Sequence, residues 1–194
     1  MQKSTFSLTF SSLCIVMNLV LGTVVDLLHI PMLFMDTLGT IFGAVLLGPF
    51  YGVLIGMVTN VVQGALTNPR NIPFALVNMA IGLVVGLVAR KFRFTLPVAV
   101  VTGLVLAVVA PLIGTPIAVW LYAGLTGDGT DLIFLWLKTS GHKIFTAAFI
   151  PRIVGNLLDK VACCAVVALL IPALPAHMLA KGNNPFFSNP SRDS

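Results

Sequence analysis

The stretch Ile150-Pro-Arg152-Ile-Val-Gly-Asn156-Leu-Leu-Asp159-Lys160, running on into an apolar segment that ends at Leu174, decides how this chain is read. At helical spacing Arg152, Asn156, Asp159 and Lys160 fall at i, i+4, i+7 and i+8, so they share one face near one end of a membrane-length helix. A charged side chain within hydrocarbon costs about 2.5–3.5 kcal/mol on insertion scales, and it is retained where it faces a cavity, a ligand or an opposite charge. That face is the expected floor of a binding site, with the other helices as its walls.

The rest of the composition agrees with a membrane setting. The chain has 194 residues, 58% hydrophobic and only 9% charged, whereas charged residues make up about a quarter of a soluble domain. Mean hydropathy is +1.04. Several apolar runs approach the roughly 17–25 residues that cross a bilayer as a helix, and no long alternating stretches suggest a barrel. The expected fold class is therefore all-α and integral to the membrane. A net charge of +5 comes from Lys and Arg placed in loops and tails, which reflects topology and not a nucleic-acid partner. Cys14, Cys163 and Cys164 have neither metal-ligand nor disulfide spacing and read as small packing residues. The apolar run that follows Met1-Gln-Lys3 lacks a small-residue cleavage site and is expected to be a retained first helix.

Six transmembrane helices are expected within residues 1–180. The first covers Phe6 to Leu28 and carries a stripe of small or weakly polar residues, Ser11, Cys14, Asn18 and Gly22. Such a stripe suits close helix packing in lipid; its second reading is a docking surface for another subunit. Asp26, His29, Pro31 and Asp36 mark a connection, with Asp36-Thr37 as a cap for a short second helix that ends at Gly48-Pro49. The third helix, Phe50 to Leu66, brings Asn60 and Gln63 to one side, and the prolines of Thr67-Asn-Pro-Arg-Asn-Ile-Pro73 make a loop. Helix four, Phe74 to Ala89, holds Asn78 and ends at the basic cluster Arg90-Lys-Phe-Arg93. Helix five, Thr95 to about Leu125, is expected to be kinked or broken at Pro111, Gly114 and Pro116, with Trp120 near the interface. Thr126 to Lys143, including Trp136, is expected to form a short interfacial helix between helices five and six. Helix six spans Phe145 to Leu174, and residues 181–194 read as a disordered cytoplasmic tail.

Six spans place both termini on one side with Lys3, Arg90, Lys91, Arg93, Lys181 and Arg192, against the single acid Asp193. The other side holds Arg70, Lys138 and Lys143, offset by Asp26, Asp36, Asp128 and Asp131. The positive-inside rule then makes the termini cytoplasmic in a cell-membrane protein. Consequently Arg152, Asn156, Asp159, Lys160, Asn60, Gln63, Asn78, the loop Asn68–Asn71, Trp120 and Trp136 gather at the outward end, as candidate contacts to a small molecule. Three of these readings have structural counterparts: an Asp159–Lys160 pair, Arg152 as an interfacial anchor, and the two tryptophans as belt residues.

Catalysis finds little support. Ser140 and His142 lie two apart, where helical neighbours do not face each other, and no nucleophile elbow or third orienting group accompanies them. Neither a zinc-ligand cluster nor a phosphate-cradling glycine loop is present, so no enzyme activity, metal or cofactor is expected.

Taken together, Asp36-Thr-Leu-Gly-Thr40, Leu47-Gly-Pro-Phe-Tyr-Gly52, Ile55-Gly-Met-Val-Thr-Asn60, Ala123-Gly-Leu-Thr-Gly127, Asn156-Leu-Leu-Asp-Lys160 and Leu174-Pro175 give the chain a family likeness. It resembles the substrate-binding S components of energy-coupling factor (ECF) vitamin transporters, over nearly its whole length. The resemblance implies a six-helix capture subunit without ATPase activity. It would dock on a membrane-embedded coupling subunit driven by two cytosolic ATPases and topple to release its cargo. In that family small residues on helix one make the docking contact, and here the matching stripe is Ser11, Cys14, Asn18 and Gly22.

A pocket with one or two cations, several amides and an indole suits a compact polar heterocycle: thiamin, riboflavin, a pterin, a pyridoxine form or a nucleoside. Two other classes compete. A membrane sensor would need a fused or neighbouring signalling domain. A stand-alone secondary carrier commonly shows inverted repeats, and no internal repeat relates the two halves of this chain.

Overall fold

The length of each apolar run, and the glycine or proline that closes it, sets where the helices start and stop. The computed structural model describes residues 2–28, 33–127 and 130–188, with side chains from Thr5 onward. His29, Pro31, Asp128, Arg192 and Asp193 lie outside the described residues, as does the side chain of Lys3. Among the described residues every regular element is helical: α1 Gln2–Leu28, α2 Leu38–Leu47, α3 Pro49–Leu66, α4 Ala75–Lys91, α5 Leu96–Tyr122, α6 Asp131–Thr139, α7 Ile144–Leu170, α8 Ala176–Lys181 and α9 Pro185–Ser188.

Four segments are long and apolar enough to cross a bilayer: Thr5–Leu28, Pro49–Leu66, Leu96–Tyr122 and Ile144–Ala173. The chain is thus a multi-pass membrane protein. Helix α2 has only ten residues, about half the length that spans about 30 Å of hydrocarbon. All ten are buried, packed among α1, α3, α4 and α7. It stops because Gly48 adopts φ +94°, a conformation glycine tolerates, and Pro49 then begins α3 at the helix position where a missing N–H does no harm. Side chains such as Leu8, Leu13, Val16 and Val20 point outward from α1, as a lipid-facing surface requires.

Of the expected kink or break in helix five, the structure shows no break in α5. It runs as one 27-residue helix through Pro111 and Pro116. In a bundle, neighbouring helices and local adjustment accommodate the backbone groups that proline frees, so the helix need not stop. Its end lies at Ala123, in the left-handed region at φ +51°.

The polar stripe of α1 also needs correction as a docking surface, because it faces the protein interior. Ser11, Cys14 and Asn18 are buried, and Gly22 lies against Asp36 and Gln63. Asn18 shows why an amide sits inside the membrane. Its Oδ1 accepts from the Gly39 N–H at 2.6 Å, capping the start of α2 from a different helix. Thr37, expected to cap α2 itself, makes no side-chain cap bond. Asn18 Nδ2 also donates to Thr40 Oγ1 at 2.9 Å and Thr59 Oγ1 at 3.1 Å, joining α1, α2 and α3. The alternative reading of the stripe, close packing, is what the geometry shows.

The segment after α7 differs from its expected disorder at its near end. Asn184 is buried, with Nδ2 donating to the Val45 carbonyl at 2.8 Å, and the Asn183 N–H donates to the Leu46 carbonyl at 3.0 Å. These bonds satisfy carbonyls that the C-terminus of α2 leaves open, so residues 182–184 are held by an unfilled backbone need.

Replacing Asn18 with Leu is expected to leave Gly39, Thr40 and Thr59 short of partners and to destabilise the protein by about 1–3 kcal/mol. A clear fall in the thermal midpoint of the purified protein would show this; an unchanged midpoint would return the stripe to the surface.

Candidate functional site

Helix ends from across the chain meet at one pole of the bundle. The C-terminal half of α3, the N-terminal half of α4, the later part of α5 and the first half of α7 surround a cavity of about 120 Å³. Gly22 of α1, the connection containing Phe34, Asp36 and Thr37, the turn from Asn68 to Asn71, and Thr126-Gly127 complete its wall. By volume it is comparable to an engineered cavity that admits one aromatic ring. The basic residues Arg90 and Lys91 sit at the C-terminal end of α4, whose N-terminal half lines the cavity.

Helix α7 places its polar face here through simple periodicity. Arg152, Asn156 and Lys160 line the cavity at successive turns and are each at least nine-tenths buried. Lys160 is the most enclosed. Its Nζ lies 2.5 Å from Asp159 Oδ2, 3.6 Å from Asp36 Oδ1 and 2.9 Å from Thr37 Oγ1. Asp159 does not line the cavity. Its other oxygen accepts the N–H groups of Phe34 at 3.1 Å and Met35 at 2.8 Å, which fastens the α1–α2 connection to α7. Met35 is held at φ +51°, so this anchoring fixes a backbone shape that non-glycine residues seldom take.

Arg152 ties in the opposite rim. One guanidinium nitrogen donates to the Ala148 carbonyl at 3.0 Å and another to Thr126 Oγ1 at 2.9 Å. Thr126 and Gly127 in turn donate their N–H groups to the Asp131 carboxylate at the start of α6, at 3.1 and 2.8 Å. Asn68 Nδ2 reaches the Thr126 carbonyl at 3.3 Å, and Arg70 Nη1 the Leu125 carbonyl at 3.3 Å. The loop after α5 is therefore held by α6, α7 and the turn after α3 together.

Amides fill the third side. Asn60 Nδ2 donates to the Asn71 carbonyl at 3.2 Å, and Asn78 Nδ2 donates to Asn60 Oδ1 at 2.8 Å. Gln63 lies beside them, against Gly22.

Of the residues singled out from sequence, Arg152, Asn156, Lys160, Asn60, Gln63 and Asn78 come together around the cavity. Asp159 lies behind it as an ionic support. Trp120 and Trp136, expected as cargo contacts, do not line it and are 82% and 68% exposed. An indole so open suits a bilayer interface. Asp36, Thr37, Phe34, Phe74 and Thr126 line the cavity without having been predicted to touch cargo. Asp36-Thr37 and Thr126 did fall within the segments that carried the family likeness, so a signal was present. Phe34 and Phe74 carried none, because a phenylalanine beside a helix end has no distinctive pattern.

This arrangement, buried cations and amides around a small cavity at one end of an apolar bundle, defines a membrane-embedded solute-binding protein. The family model of the ECF transporter substrate-specific component matches residues 6–171, and the chain belongs to that family. Members of it are transport subunits, not enzymes. No curated protein and no solved structure matches the chain.

Lys160→Met should strand the carboxylates of Asp159 and Asp36 and destabilise the protein by about 3–5 kcal/mol, while Lys160→Met with Asp159→Asn should recover part of that loss. Chemical or thermal unfolding of the two variants in detergent checks this. A single variant as stable as wild type would contradict the network.

Proposed function

We propose that the protein captures a small water-soluble vitamin or related heterocycle at the outer face of the cell membrane, as the substrate-binding subunit of an ECF-type ABC importer. The observation that carries this reading is the convergence of Arg152, Asn156 and Lys160 with the amides of Asn60, Gln63 and Asn78 around one cavity. Polar groups so enclosed are retained in an apolar bundle when they serve a solute or a network, and here they serve both. In this reading the chain crosses six times, with the ten-residue α2 covering only about half of the second crossing, so both termini lie in the cytoplasm and the cavity outside. Helix α6, with Leu132 and Trp136 exposed, then rests at the outer interface. Release of cargo would require a membrane coupling subunit and two cytosolic ATPases.

The reading is tested by screening vitamins and nucleosides against the purified protein by thermal shift and measuring affinity for whichever binds. Arg152→Ala and Asn156→Ala are each expected to weaken binding by about 10- to 100-fold, from the loss of one hydrogen bond or charge-assisted contact. Unaltered affinity in both variants would remove this cavity from the binding reaction.

A further inference from the structure

One corner of the cavity holds two hydrogen-bond acceptors that nothing among the described residues satisfies. We propose that the cargo is a flat nitrogen heterocycle bearing an exocyclic amino group, which donates to Asn78 Oδ1 with Asp36 Oδ1 beside it. The inference rests on the capture function above and narrows its substrate class.

The orientation of the Asn78 amide follows from groups that cannot turn round. The Asn71 backbone carbonyl only accepts, so Asn60 must direct its Nδ2 there, at 3.2 Å. Asn60 then offers Oδ1 to Asn78, which must answer with Nδ2, at 2.8 Å. The Asp36 backbone carbonyl, also acceptor-only, lies 3.5 Å from the same Nδ2. Flipping Asn78 would set oxygen against oxygen at both contacts. Its Oδ1 is thereby fixed as an acceptor. Asn78 is 2% exposed, and that oxygen has no hydrogen-bond partner among the described residues.

Asp36 lies at the same corner, since its carbonyl borders the Asn78 amide. Its Oδ1 is likewise without a hydrogen bond, and the Lys160 ammonium at 3.6 Å balances its charge without occupying it. Both residues line the cavity. A solute that brings N–H donors relieves two unmet acceptors, whereas one that brings a carbonyl oxygen sets lone pairs against lone pairs. Beside this corner Phe74, Val77 and Ile81 supply apolar wall, which favours a planar ring over an aliphatic amine.

The test uses matched probes in which oxygen replaces the amine: thiamin against oxythiamin, pterin against lumazine, guanosine against xanthosine. Riboflavin and pyridoxine serve as probes without an exocyclic amine. With full-length protein in nanodiscs, one amine member is expected to bind about 100-fold more tightly than its oxygen partner, and Asn78→Leu should cut that ratio below about tenfold. The wild-type ratios decide the matter by themselves where Asn78→Leu fails to fold. Equal or tighter binding of an oxygen member, of riboflavin or of pyridoxine overturns the proposal, and so does the absence of binding by every amine member. If an amine-free probe binds and Asn156→Ala weakens it, the capture site stands and only the amine assignment falls. If binding of any probe ignores both Arg152→Ala and Asn156→Ala, the capture function falls with it.

Discussion

The structure depends on keeping one ammonium group neutralised inside an apolar bundle. Lys160 is 2% exposed, and a lone cation there would be strongly disfavoured. Its compensation comes from Asp159 on the same helix and from Asp36 and Thr37 in the connection before α2. Since those partners belong to different parts of the chain, satisfying the charge also positions the connection. Asp159 completes the attachment by accepting two backbone N–H groups from it. The cavity opens next to this cluster because Lys160 lines it from α7 while Asp36 and Thr37 line it from the connection.

The same logic repeats in weaker form with amides. Asn18 caps α2 from α1, Asn184 takes up a carbonyl at the other end of α2, and the Asn71–Asn60–Asn78 series crosses from the turn after α3 to α4. In lipid an apolar helix gains little from touching another apolar helix, so polar contacts and close packing of small residues carry much of the association. Close approach is visible where Gly52 of α3 meets Gly82 of α4, leaving no room for a side chain on either. Each amide joins elements that distant parts of the sequence supply, which makes a ten-residue helix such as α2 tenable at the centre of the bundle.

Much of this was legible in the sequence, and the misses have physical causes. Periodicity alone placed Arg152, Asn156 and Lys160 on one face, and alternation of spans brought Asn60, Gln63 and Asn78 to the same pole. Periodicity cannot say which way a face turns, so the stripe Ser11, Cys14, Asn18 and Gly22 suited packing first and docking second, and Ser11, Cys14 and Asn18 are buried. Tryptophan is amphipathic enough for a pocket or a lipid interface, and Trp120 and Trp136 lie exposed, away from the cavity lining. Pro111 and Pro116 signalled a kink or a break, and the helix continues unbroken through both. Asn183 and Asn184 sat in a stretch of disorder-like composition, and their fixed place comes from open carbonyls on α2, far away in sequence.

Cysteine accessibility tests the central claim most directly. The three native thiols are buried, so a single cysteine introduced as Asn156→Cys can be followed with a membrane-impermeant methanethiosulfonate in right-side-out vesicles. A cavity that receives solute from outside predicts labelling of residue 156 from the outer face, slowed when the bound solute is present. Absence of labelling, or labelling only after the inner face is exposed, would contradict it.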